Sequence, residues 1–113
     1  MKEAILLQTA REYYVSATEA HDRGRANSAV ILYFKALVAL ADIYILRHTG
    51  NAPSSHTNRF ATCKQQFPQV YRALDKDFPF YQDSYVQVLS LELADIIKED
   101  VHALAKELAI TIR

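Results

Sequence analysis

The stretch SAVILYFKALVALADIYI, Ser28 to Ile45, decides the fold class. Between Ala29 and Leu46 the only charged residues are Lys35 and Asp42, and with Ser28 they recur at every seventh position. On a helix that spacing draws one thin polar line along an otherwise apolar cylinder. Such a helix is enclosed on most sides. It is either the centre of a bundle or is shared between its own bundle and a partner subunit. Asn27 or Ser28 supplies an N-cap, and the helix ends near His48, just before Thr49-Gly50.

Working outward, an upstream helix runs from about Lys2 to Arg23, with Leu6, Ala10, Tyr13, Ala17 and Ala20 on its apolar face. Gly24 stands where a helix terminus needs a left-handed residue, and the short connection makes the two helices an antiparallel hairpin. Downstream lies a loop, Asn51 to His56, after which Ser55 or Thr57 caps a third helix carrying Phe60, Cys63, Lys64 and Phe67. Pro68 either kinks that helix or opens a new one, and Val70, Tyr71 and Leu74 continue an apolar face to about Asp77. The segment Phe78 to Tyr85 reads as a turn leading into a short helix, about Tyr81 to Leu89. Ser90 then caps the last helix, whose stripe Ala94, Ile97, Val101, Leu104, Ala105 and Leu108 runs on to the C-terminus. The expected architecture is all-α, an up-and-down bundle of four long helices with an additional short helix before the last one. It forms a single domain over residues 1–113.

Composition agrees. A chain of 113 residues is one domain by length, and 2 glycines and 3 prolines leave room for few turns. Its 13 basic and 13 acidic residues cancel, which disfavours a non-specific polyanion binder. Cys63 is the lone cysteine, so an intrachain disulfide is impossible and a reducing compartment is expected. Charges at Glu3, Arg11 and Glu12 break up any signal-peptide core. The longest unbroken apolar run, Ala36 to Ala41, is too short to span a bilayer, so the expectation is a cytoplasmic protein with no membrane partner.

Catalytic chemistry is sparse. Glu99 and His102 have the spacing used by carboxylate-bridged di-iron bundles, but a single copy does not make that site, and Glu99 falls on the solvent side of its helix. Cys63 sits beside Phe60 and Phe67, as a buried, inert thiol would. No catalytic residue, metal ligand or cofactor follows. Two features remain. The helix start around Ser55, His56, Thr57 and Arg59 suits an anion such as phosphate, or is a capped helix with two surface cations. The aromatics Phe78, Phe80, Tyr81 and Tyr85 either stack on bases or pack around Pro79. The candidate ligand-binding set is therefore Ser55, His56, Thr57, Arg59, Tyr81 and Tyr85.

A first helix closing in Ala20 to Arg25, a second spanning Ser28 to Ile45, the loop Ser54-Ser55-His56-Thr57 and a last helix opening Leu91-Glu92-Leu93-Ala94 together resemble the HEPN superfamily of small helical bundles. The resemblance implies a homodimer. Many members are metal-independent ribonucleases that use an arginine followed, after four to six residues, by a histidine. Others bind nucleotides or protein partners, often beside a minimal nucleotidyltransferase. Here Arg47 and His56 have eight residues between them, and Lys98 to His102 has three and no guanidinium. The resemblance thus implies a non-catalytic domain that binds a nucleotide, RNA or a protein partner. Two alternatives stay open. One is a tetratricopeptide- or MIT-like hairpin module, suggested by Tyr33 to Leu37 though both helices exceed the repeat length. The other is a degenerate ribonuclease using His56 or His102 with Arg59.

Overall fold

A computed structural model describes residues 2–113, which form five helices and no strand. They are α1 (Lys2–Asp22), α2 (Ala26–Thr49), α3 (His56–Gln66), α4 (Pro68–Asp83) and α5 (Leu91–Glu107). α2 is the axis of the molecule. α1 packs along it most extensively, α5 next, and α4 and α3 cover the rest. Tyr33, Phe34, Leu37, Leu40 and Ile43 of α2 are all fully buried. The last stripe is as expected, with Ala94, Ile97, Val101, Leu104, Ala105 and Leu108 all in the core.

Small residues line the packing of α1 on α2: Ala10 and Ala17 of α1 and Ala29 and Ala36 of α2 all lie in the core at 0% exposure. The face of α1 differs from the sequence reading by one position. Tyr14, not Tyr13, enters the core, and its hydroxyl lies 2.7 Å from His102 Nε2 on α5. Tyr13 and Leu6 are only partly buried.

Most of the apolar circumference of α2 is covered within the chain: none of its large apolar side chains is exposed, and Ile31, Leu32, Val38, Tyr44 and Leu46 are half-buried. By length and composition α2 could also cross a membrane, with a mean hydropathy of 2.1 over its best window, although 67% of that window is buried in the fold. An unbroken run such as Ala36 to Ala41 understates this, because Lys35 and Asp42 interrupt the run without changing the helix.

Two boundaries depart from expectation, and at Pro68 one of the two expected alternatives holds. Pro68 starts a new helix rather than bending the old one. Having no N–H, it suits the first position of α4, and its ring forces Phe67 out of the helical region to φ −131°, ψ 70°. α4 then continues through Pro79 to Asp83, and the short helix expected over Tyr81 to Leu89 does not form. Leu74, Asp77, Phe78 and Tyr81 recur at helical spacing on one side of α4, and Phe78 and Tyr81 both pack on Phe34, which carries the helix past the proline. α5 stops at Glu107, short of the C-terminus. Ala109 adopts φ 57°, Ile112 is buried, and the Thr111 carbonyl accepts from Arg11 Nε and Nη2 at 3.2 and 3.0 Å.

Asn27, expected as a cap, has another task. α2 begins at Ala26 without a side-chain cap, and the Asn27 amide reaches across to residues 84–90. Its Nδ2 donates to the carbonyls of Ser84 and Gln87 at 3.0 and 2.6 Å, and its Oδ1 accepts from Leu89 N–H at 2.8 Å. A net worth of about 1 kcal/mol per hydrogen bond makes Asn27→Ala costly by about 2–3 kcal/mol. Urea unfolding should show that loss, while Ser90→Ala, whose side chain caps nothing, should cost far less.

Candidate functional site

Asp42 is the more buried of the two charges between Ala29 and Leu46 of α2, and a lone carboxylate at that depth would be expensive. Its partner is Arg59 of α3. Arg59 Nε donates to Asp42 Oδ1 at 2.6 Å and Nη2 to Oδ2 at 2.9 Å, with only 11% of either side chain exposed. Ser55 sets this up by capping α3, its Oγ accepting from Asn58 N–H at 3.1 Å, which fixes Arg59 one turn into the helix. Arg59 Nη1 lies 2.9 Å from His56 Nδ1. A guanidinium can only donate, so Nδ1 accepts and the imidazole proton sits on Nε2. Partial burial of the ring, followed by the positive charge of Arg59, holds His56 below the ordinary histidine value.

This triad forms the end of a cleft of about 220 Å³ between α1, α2, α3 and α4. Leu6 and Tyr13 line one wall, while Phe34 and Tyr81, stacked with ring centroids 4.9 Å apart, line another. Lys35 stands between the walls, its ammonium 5.9 Å from the ring centroids of both Tyr13 and Tyr81. It has no carboxylate partner among the described residues. With Asp42 and Arg59 cancelling each other, the cleft carries one uncompensated positive charge between aromatic faces.

The six candidate residues divide. His56, Arg59 and Tyr81 meet in the cleft, and Tyr85 touches its rim through a 2.9 Å hydrogen bond between its hydroxyl and that of Tyr81. Ser55 is occupied as a cap and Thr57 is exposed away from the cleft. Arg59 is not a surface cation: it is buried, and Asp42 and His56 engage three of its five N–H donors. Tyr81 packs on Phe34 and Phe78, so its ring is a wall of the cleft rather than a free platform.

Sequence reasoning missed Lys35, Asp42 and Tyr13 as parts of the site. The signal was present in the polar line of α2: a buried charge needs a partner, and Arg59 was within reach. Elsewhere, burial pushes the Cys63 thiol up to about 11, as suits an unreactive core cysteine. His102, held by Tyr14, does not line the cleft. Comparison with known protein families, curated proteins and solved structures finds no match in any of the three.

Removing one member of a buried ion pair strands the other, at a cost of about 3–5 kcal/mol. Asp42→Ala should lose that much in urea unfolding. A paired Asp42→Leu, Arg59→Met variant should recover most of it, and equal losses in the two proteins would show that the pair is not the source.

Proposed function

We propose that this chain is a non-catalytic, HEPN-like helical domain, an up-and-down bundle in which α3 and α4 form one interrupted rib, and that its cleft binds a small anion bearing a flat ring. A nucleotide is the member of that class nearest to the sequence reading. The observation that carries the proposal is Lys35, an uncompensated ammonium held between the rings of Tyr13 and Tyr81 beside a donor-bearing His56. Stacking and one charge-assisted contact would then act together. A single free cation supports one phosphate better than an RNA tract, which needs a row of them. The ribonuclease alternative has less support, since Arg59 is committed to Asp42 and the other cation near His56, Lys35, is an ammonium rather than a guanidinium.

A protein partner, such as a minimal nucleotidyltransferase, is the second reading. It is favoured by the loop after α4, where Val86 and Val88 are 79% and 97% exposed on backbone that Asn27 holds in place. The homodimer has further support on α1. On its outer surface half-buried Leu7 and exposed Val15 flank the exposed pair Arg11 and Glu12. In an antiparallel pairing about a twofold axis, each Arg11 would meet Glu12 of the second copy.

Titration of AMP should shift the His56 ring signals in NMR, and Lys35→Ala should weaken that binding at least tenfold with the fold unchanged. AMP that leaves His56 unmoved at millimolar concentration would sink the ligand reading. For the dimer, light scattering at micromolar concentration should give twice the 12.9 kDa chain mass and Arg11→Glu the single mass. A parent protein that is cleanly monomeric there defeats the homodimer.

A further inference from the structure

Asp77 is the most deeply buried carboxylate in the molecule. It is at 0% exposure on α4, one residue before Phe78, and neither of its oxygens has a hydrogen-bond donor from another residue. Asp100 of α5 faces it. The one cation present is Lys76, whose ammonium lies 2.8 Å from Asp100 Oδ2 but 3.9 Å from Asp77 Oδ1, with its side chain half exposed. Glu99, also on α5, competes for Lys76 from the solvent side. α2 and α3 pack on α4 too, yet neither brings a charged or titratable group to bear on Asp77.

Two facing carboxylates served by one ammonium are one positive charge short, and burial removes the water that would screen them. A proton on Asp77 resolves both problems, because its O–H can then donate to Asp100. Burial first, then Asp100, push Asp77 up to about 8. Apart from this pair α4 leans only lightly on α5, resting mainly on α2 and α3.

We propose that Asp77 and Asp100 share one proton, and that this hydrogen bond is a latch fastening α4 to α5 which opens when the proton is lost to solvent. Opening leaves two carboxylates facing each other. α4 moves away from α5 and carries with it Phe78 and Tyr81, the residues that pack on Phe34 at the cleft. The latch thus ties the closed form of the cleft to pH, whatever the cleft binds.

The sign follows from linkage. An unfolded Asp77 loses its proton near pH 3.8, whereas the folded one keeps it to about pH 8. The folded state therefore binds the extra proton between those values. Its stability is full at the acid end and is lost as pH rises, the unfolding constant growing by up to tenfold per pH unit before levelling off above pH 8.

Urea unfolding of the full chain from pH 5 to 9 should show that slope in the parent and its absence in Asp77→Asn, which is neutral at every pH. Equal slopes in the two proteins overturn the shared proton. If Asp77→Asn does not fold, the carboxyl carbon of Asp77 in the parent decides: an NMR step near pH 8 supports the proposal and one near pH 4 ends it. The latch itself is read from hydrogen exchange of Leu74 to Tyr81. Their protection should fall between pH 7 and 9 beyond the intrinsic rise in exchange. Unchanged protection across a genuine Asp77 titration would leave a shared proton but no latch, and the proposal would be overturned.

Discussion

A helix apolar around nearly its whole circumference is stable in water only when something encloses it, and in this chain the other four helices are that enclosure. α1 closes one side with its buried alanines, α5 a second, and α3 with α4 a third. Each gap between two of these covers is a groove with α2 at its floor. A polar residue on α2 is therefore either exposed at a groove or sealed beneath one. Lys35 and Asp42 are two turns apart on the same line of the same groove, and they meet opposite fates. Lys35 reaches the aromatic mouth. Asp42 is sealed and must be neutralised from across the groove, and that requirement fixes where α3 begins.

The neutralisation has a structural consequence beyond charge balance. A bidentate carboxylate–guanidinium pair is directional, so Asp42 sets both the position and the roll of Arg59. Roll decides which neighbours a helical residue has, and the fixed guanidinium in turn fixes the ring of His56. Replacing such a pair by apolar residues is often neutral in stability, so energy alone does not explain why it is there. Orientation does. The pair aligns α3 against α2 so that an imidazole with a known tautomer faces the cleft.

How much of this was legible depended on the range of the interaction that decides each feature. The helical class, the α1–α2 hairpin, the Ser55 cap and the core stripe of α5 follow from local periodicity and end chemistry, and they were readable. The fate of Pro79 was not, because α4 survives it through contacts of Phe78 and Tyr81 with Phe34, more than forty residues away in sequence. Asn27 was read as a cap because caps are local, yet its partners are Ser84, Gln87 and Leu89. Arg59 was read as an anion ligand or a surface cation for the same reason. The polar line of α2 did announce a buried charge, but the identity of its partner depended on how α3 docks.

α4 is where these constraints converge. Phe67 and Pro68 free it from α3, so it can lie at its own angle to α2. Its inner side then holds Leu74, Asp77, Phe78 and Tyr81, of which three are apolar or aromatic and one is a carboxylic acid. An apolar residue at position 77 would have packed there with no dependence on solution conditions. An acid facing a second acid packs only while a proton is present, which makes the docking of this one helix conditional. The same helix supplies Tyr81 to the cleft, so the least securely held wall of the site is also the one whose attachment responds to pH.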